Sequence, residues 1–210
     1  MKSLPSNSIR IIKLGGSLLR LTDLTARIRD WLPRQSPMLN LCIVGGGRSV
    51  QKIKDNACSL DSSATHWESI RQMDRHATEL SQVSPDWAIF DSIQSIPPVP
   101  SATLNFFKTE DWLRNSGTCL PESWEVTSDS IAAILARILA AHELVLLKST
   151  LPPIEAELTQ LMDMEFVDRY FETDITSASS NQLPAVHRIK FVNFRDDNFA
   201  EQNLRWSQTD

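Results

Sequence analysis

Glycine is scarce in this chain: there are six in 210 residues, five of them in two short clusters, and none after Gly117. A sequence this poor in glycine is expected to place it where the backbone needs a close approach or an unusual turn. Cysteine is scarcer. Cys42, Cys58 and Cys119 are odd in number, widely spaced and without a CxxC or clustered histidines, which argues against a disulfide framework or a zinc site. Cys42 lies in an apolar run and is expected to be a buried small hydrophobe. No Lys/Arg run exceeds two residues and the formal net charge is -5. Neither nucleic acid nor an anionic membrane surface therefore finds an electrostatic footprint. No stretch approaches the ~18 apolar residues of a membrane span. The polar start, residues 1–10 with Pro5, lacks the apolar core of a signal peptide, so a cytoplasmic location is expected.

What is present is ordinary: 41% hydrophobic and 22% charged residues. That is enough to bury a core as a single domain over residues 1–210. Residues 8–14 (SIRIIKL) and 39–44 (LNLCIV) are apolar, β-branched runs that stop at Gly15-Gly16 and at Gly45-Gly46-Gly47, and both read as buried strands. Between them, leucines and Ile28 recur at helical spacing over 17–32, closed by Pro33. Further helices are expected over 49–58, 66–82, 106–114, 127–139 and 155–164. Further strands are expected over 87–92, 144–147 and 189–194. An extended segment is expected over 96–100, a loop over 118–124, a mixed stretch over 166–173 and a fraying tail from Arg195. Strand, glycine turn, helix, repeated, is the pattern of parallel βαβ units. The predicted fold is α/β, a three-layer α/β/α sandwich around a mostly parallel sheet. Ligands of such sheets gather at the carboxyl ends of the strands, where both glycine clusters lie.

Three places carry residues suited to chemistry. In Lys13-Leu14-Gly15-Gly16-Ser17 the glycines would admit an anion to the backbone amides, and the following helix would add the positive end of its dipole. The same residues would also serve as a tight strand-to-helix turn beside an exposed lysine. Neither a P-loop, GxxxxGK[ST], nor a GxGxxG fingerprint is present, which sets aside a dinucleotide-dependent oxidoreductase. Gly45-Gly46-Gly47-Arg48 is the second place. Three adjacent glycines cost conformational entropy, and close backbone approach to a ligand explains them better than a flexible connection. Arg48 would pair with an anion or face water. In Thr127-Ser128-Asp129 the first two residues are candidate caps of a helix and the aspartate suits its first turn. The alternative is that Asp129 orients catalytic groups beside the glycine turns.

The motifs KLGGS (Lys13 to Ser17), VGGGR (Val44 to Arg48) and WEVTSDSIA (Trp124 to Ala132), with His66 and the Met73-Asp74 pair, resemble the amino acid kinase superfamily. Carbamate, acetylglutamate, uridylate and isopentenyl phosphate kinases belong to it. The likeness covers roughly residues 8–150. It is greatest to the [5-(aminomethyl)furan-3-yl]methyl phosphate kinase branch of methanofuran biosynthesis and its bacterial relatives in one-carbon metabolism. The resemblance implies an ATP- and Mg²⁺-dependent phosphotransferase acting on a small phosphate or carboxylate acceptor, and a homo-oligomer. It implies that Lys13 bridges the transferring group and that Gly15, Gly16 and Ser17 hold nucleotide phosphates. Gly45, Gly46, Gly47, Arg48, Thr127 and Ser128 would meet the acceptor, and His66 would face its pocket or else lie on the surface. Asp129 would position Lys13 and the metal.

The sequence departs from the family after its fifth strand. In place of an acidic, glycine-containing loop stands LLKSTLPP, residues 146–153. Lys148 would meet phosphates at that strand end in the loop's stead, or be an exposed lysine. A catalytically degenerate member, binding a nucleotide or intermediate within a one-carbon pathway assembly, is the alternative reading.

Overall fold

A computed structural model describes residues 9–56, 62–96, 103–116, 120–123, 125–171, 186 and 188–204. Cys58, Gly117, Cys119, most of the expected extended segment and much of the expected 118–124 loop lie outside these residues. The elements in chain order are β1 (Ile9–Leu14), α1 (Leu24–Trp31), β2 (Leu39–Val44), α2 (Gly47–Asn56), α3 (Ser62–Ser81), β3 (Ala88–Phe90) and β4 (Leu104–Phe107). They continue with α4 (Glu110–Asn115), α5 (Ser128–Ile138), β5 (Glu143–Lys148), α6 (Leu158–Asp163), β6 (Arg188–Asn193) and β7 (Glu201–Asn203).

One seven-stranded sheet runs in the order β3-β4-β2-β1-β5-β6-β7. Every neighbouring pair is parallel except β6 with β7. Central β1 and β2 are buried along their whole length, as strands covered on both faces must be. The period of two then sorts their side chains. Ile9, Ile11, Leu41 and Ile43 join a core built with α5 and α6, whereas Ile12, Leu14, Cys42 and Val44 join one built with α1. The expected α/β layering is observed.

At the amino-terminal ends of the strands a buried polar cluster ties the centre together. Arg10 Nε donates to Glu143 at 2.6 Å and Arg10 Nη1 to Asn40 Oδ1, the side-chain amide oxygen, at 2.9 Å. Burial alone would raise the Glu143 carboxyl, but Arg10, Lys190 and Arg188 hold it below its ordinary value.

Four expectations change. The helix predicted over 17–32 is two pieces, a 3-10 turn at Gly16–Arg20 and then α1, so apolar spacing over-read a break at Leu21. Residues 106–114 open with the end of β4 before α4 begins, because Phe106 and Phe107 continue a buried strand. The strand expected over 87–92 shortens to three residues and a 3-10 turn follows it. The tail does not simply fray: Glu201–Asn203 returns as β7 on β6. Its polar composition suits an edge strand, which needs no apolar face of its own.

Candidate active site

The carboxyl end of the sheet is where these strands deliver their charges. Lys13 follows Ile9 and Ile11 on the face of β1 that meets α5, and Lys148 follows Leu144 and Leu146 on the same face of β5. The strands are neighbours, with Lys13 level with Leu146 and Leu14 level with Leu147. Two lysines thus rise side by side toward the start of α5. There, Asp129 takes both: Lys13 Nζ lies 2.8 Å from Oδ1, and Lys148 Nζ donates to Oδ2 at 2.7 Å. Lys148 Nζ also donates to the Phe166 carbonyl at 2.7 Å. Asp129 is 4% exposed and Lys13 6%.

Burial opposes ionisation of Asp129, yet the two ammonium groups overcome it and hold the carboxyl at about 2. Burial also dominates for Lys148. It drives the amine down to about 8, with Lys13 pushing the same way and Asp129 only partly restoring it. Two ammonium groups share the Asp129 carboxylate, with Asp168 acting on Lys148 from farther off, in a place where water screens charge poorly.

The two glycine turns meet beside this triad. A Cβ on Gly16 would stand 2.1 Å from the Gly47 nitrogen, and one on Gly47 would stand 2.7 Å from the Gly16 carbonyl oxygen. Gly47 also has φ +56, a left-handed conformation that side chains rarely adopt. Backbone pressed on backbone is the immediate reason for glycine at these positions. Ser128 is buried, with its Oγ 3.2 Å from where a Gly45 Cβ would be.

Several predicted roles shift. The Gly15 N–H donates to Leu147 O at 2.9 Å and the Gly45 N–H to Leu14 O at 2.8 Å, because each amide extends the parallel ladder by one rung. Those two amides are committed, and any anion-holding at the turns falls to Gly16, Ser17, Gly46 and Gly47. The element after Gly15 is a five-residue 3-10 turn, too short for the helix dipole expected there. Ser17 and Arg48 are exposed at the rim. Thr127 is the N-cap of α5, accepting from the Asp129 N–H at 3.3 Å. Its own N–H and hydroxyl both donate to Asp168, so these donors are taken rather than offered to an acceptor.

His66 is placed elsewhere, buried on α3 with Nδ1 3.1 Å from the Ser123 carbonyl oxygen. Burial lowers its pKa. It lines a cavity of about 190 Å³ with Trp67, Leu113, Arg114, Val126 and Ile131, a set that shares no residue with the glycine turns. Asp74 caps α4, accepting from the Thr109 and Glu110 N–H groups at 2.7 and 3.0 Å.

Two residues at the site were not singled out by pattern. His76 on α3 lies 3.4 Å from the Gly45 carbonyl oxygen through Nδ1 and 3.3 Å from Ser49 Oγ through Nε2. The only available hint was its place one helical turn beyond Met73. Asp168 lies in a stretch with no periodicity, and its contacts are 38 and 41 residues away in sequence.

Among solved structures, UMP kinase from Ureaplasma parvum superposes with a TM-score of 0.59, 96% of this chain on 97% of that one at 13% identity. UMP kinase from Bacillus anthracis gives 0.58, covering 90% and 88% at 11% identity. The fold is amino acid kinase-like. Uridylate kinase from Archaeoglobus fulgidus is 18% identical over 67% of this chain and 63% of that one, with a TM-score of 0.48. No protein-family model matches the chain, and no curated protein matches its sequence. Among the described residues no helix is long and apolar enough to cross a membrane.

Proposed function

We propose that this protein is an ATP-dependent small-molecule kinase, cytoplasmic and homo-oligomeric, that transfers a phosphoryl group to a small phosphorylated acceptor. The first acceptor to test is (5-(aminomethyl)furan-3-yl)methyl phosphate, with UMP and carbamate beside it. One observation carries the reading: Lys13 and Lys148 sit on the two oxygens of a single buried carboxylate, at the rim where the glycine turns interlock.

The donor set fits a polyphosphate. Two ammonium groups stand beside a rim of glycine backbone, and phosphoryl transfer asks a protein mostly for positioning and charge neutralisation. Bound ATP would supply the phosphoryl group together with a Mg²⁺ ion on its phosphates. Among the described residues no group of three His, Cys, Asp or Glu is placed to cage a metal, so that ion would ride on the nucleotide. Asp129 fixes both ammonium groups before any ligand arrives, so little reorganisation is left for the reaction. Lys13 and Lys148 would share their protons between Asp129 and the anionic oxygens. An acceptor that is itself a phosphate needs no strong general base.

The test is incubation with ATP, Mg²⁺ and the acceptor panel, followed by phosphorus NMR. Lys13→Ala should lower turnover at least ~100-fold, since it removes a positioned cation from the charged transition state. Turnover near that of the wild type would refute the role of Lys13.

A second reading, a non-catalytic binder of a nucleotide or pathway intermediate, is favoured by the glycine-free segment after β5 and by the committed Gly15 and Gly45 amides. Calorimetry with a non-hydrolysable ATP analogue separates the two: binding with no transfer to any acceptor selects the binder.

A further inference from the structure

Five donors converge on the carboxylate of Asp168. Oδ2 accepts from the Thr127 N–H at 3.0 Å, the Thr127 hydroxyl at 2.6 Å and the Ser130 N–H at 3.1 Å. Oδ1 accepts from the Ser130 hydroxyl and, at 3.1 Å, from the Tyr170 N–H. Thr127 is the N-cap of α5 and Ser130 its third residue, so they bracket Asp129. The first amides of a helix have no partner within it and must find an acceptor outside. Thr127 Oγ1 provides one at 3.3 Å, a long bond; a distant carboxylate provides the rest, and its charge suits the positive end of the helix.

Two residues before Asp168, the Phe166 carbonyl accepts from Lys148 Nζ. One short segment, 166–170, therefore grips both halves of the Asp129–Lys148 pair: the helical turn that carries the aspartate, and the ammonium group itself. A cap with a purely structural task would not need that second grip.

We propose that Asp168 is a positioning residue, clamping Thr127 and Ser130 so that Asp129 is set between Lys13 and Lys148; its catalytic consequence rests on the kinase reading above. Thr127 is then part of the clamp rather than an acceptor ligand, and Ser130 is its other half. Without the clamp the first turn of α5 drifts, Asp129 leaves Lys148, and the two ammonium groups lose their fixed separation. A displacement of about 1 Å in a positioning group is enough to cost roughly 100-fold in rate.

The experiment compares Asp168→Asn, Ser130→Ala and the double variant in the full-length protein. Asp168→Asn keeps the shape but turns an amide toward donors. Steady-state kinetics give kcat and KM for ATP. Independently, acetic anhydride labelling without nucleotide, read by mass spectrometry, reports how firmly Lys148 is held. With Asp168→Asn, kcat should fall about 100-fold while KM for ATP stays within about threefold, because the lost element is alignment rather than uniform binding. Lys148 should acylate at least ~5-fold faster, and the double variant should be no worse than Asp168→Asn alone, because both changes break one clamp. Unchanged acylation with unchanged kcat overturns the proposal, as does a double variant whose effects multiply. If Asp168→Asn does not fold, Thr127→Val and Ser130→Ala remove only hydroxyl donors and carry the same labelling test, where an unchanged Lys148 is again the refuting result. A wild-type protein that phosphorylates nothing sinks the kinase reading, while the labelling still decides whether the clamp exists.

Discussion

Replacing Asp129 by asparagine should destabilise the protein by an amount that depends on pH in a particular way. Asp129 is the shared partner of Lys13 and Lys148 at 2.8 and 2.7 Å, and all three are largely buried. Removing one partner of a buried pair costs about 3–5 kcal/mol. The variant has an escape, because Lys148 already titrates at about 8 instead of 10.5. Loss of Asp129 removes the chief influence raising it, so its folded pKa falls further. Below that new value both folded and unfolded chains keep the Lys148 proton and the deficit is complete. Between the new value and about 8 the unfolded variant holds a proton that the folded variant has shed, so the variant gains stability with pH. The wild type does not gain there, since its Lys148 is still protonated in both states. The deficit should therefore narrow by about 1.4 kcal/mol per pH unit across that interval. Above about 8 both chains gain alike up to 10.5 and the deficit is constant. Asp129 itself, held at about 2, contributes stability that is complete above its ordinary 3.8 and lost only as pH falls toward 2. Urea denaturation from pH 5 to 9 thus isolates the lysine. A deficit independent of pH would refute the buried, shared ion pair.

At the glycine contact, Gly16→Ala would place a methyl group 2.1 Å from the Gly47 nitrogen, backbone that has nowhere to retreat. A loss of about 1–3 kcal/mol in urea denaturation is expected, and wild-type stability would mean the turns do not touch. At the other end of the strands, Glu143→Gln leaves Arg10 buried without its countercharge. A loss of about 3–5 kcal/mol is expected, with KM for any substrate unchanged; a substrate KM that rises would tie that cluster to the site.

The central βα units were legible because their strands are buried on both faces and their glycine stops are abrupt. The convergence of Lys13 and Lys148 on one face was also implicit, since the period of two aligns each with the apolar residues two and four before it. What remained hidden was set by long-range contact. The Gly15 and Gly45 amides look available in sequence, and only the register of β1 between β2 and β5 uses them. The same holds for β7, whose edge position is set by β6, and for His76 and Asp168, whose partners lie tens of residues away. His66 illustrates the converse. Its side chain sits on a face of α3 that turns into a separate cavity, which nothing in its local sequence could reveal.

The kinase and binder readings turn on why two lysines share one carboxylate. Each buried charge costs several kcal/mol of lost hydration, and a packed apolar group of similar volume would hold β1, β5 and α5 together at least as well. A structural explanation is therefore expensive. A simple anion binder needs one anchored cation, and the Asp129–Lys148 pair would then only cancel charge at the rim. A catalyst needs more. It must present two cations at a fixed separation before the ligand arrives, leave a net positive charge, and border it with backbone that an anion can approach. Asp129 paired with an ammonium group from each strand, beside turns narrow enough to demand glycine, brings the first and last of these together. That coincidence is the reason to assay transfer before binding.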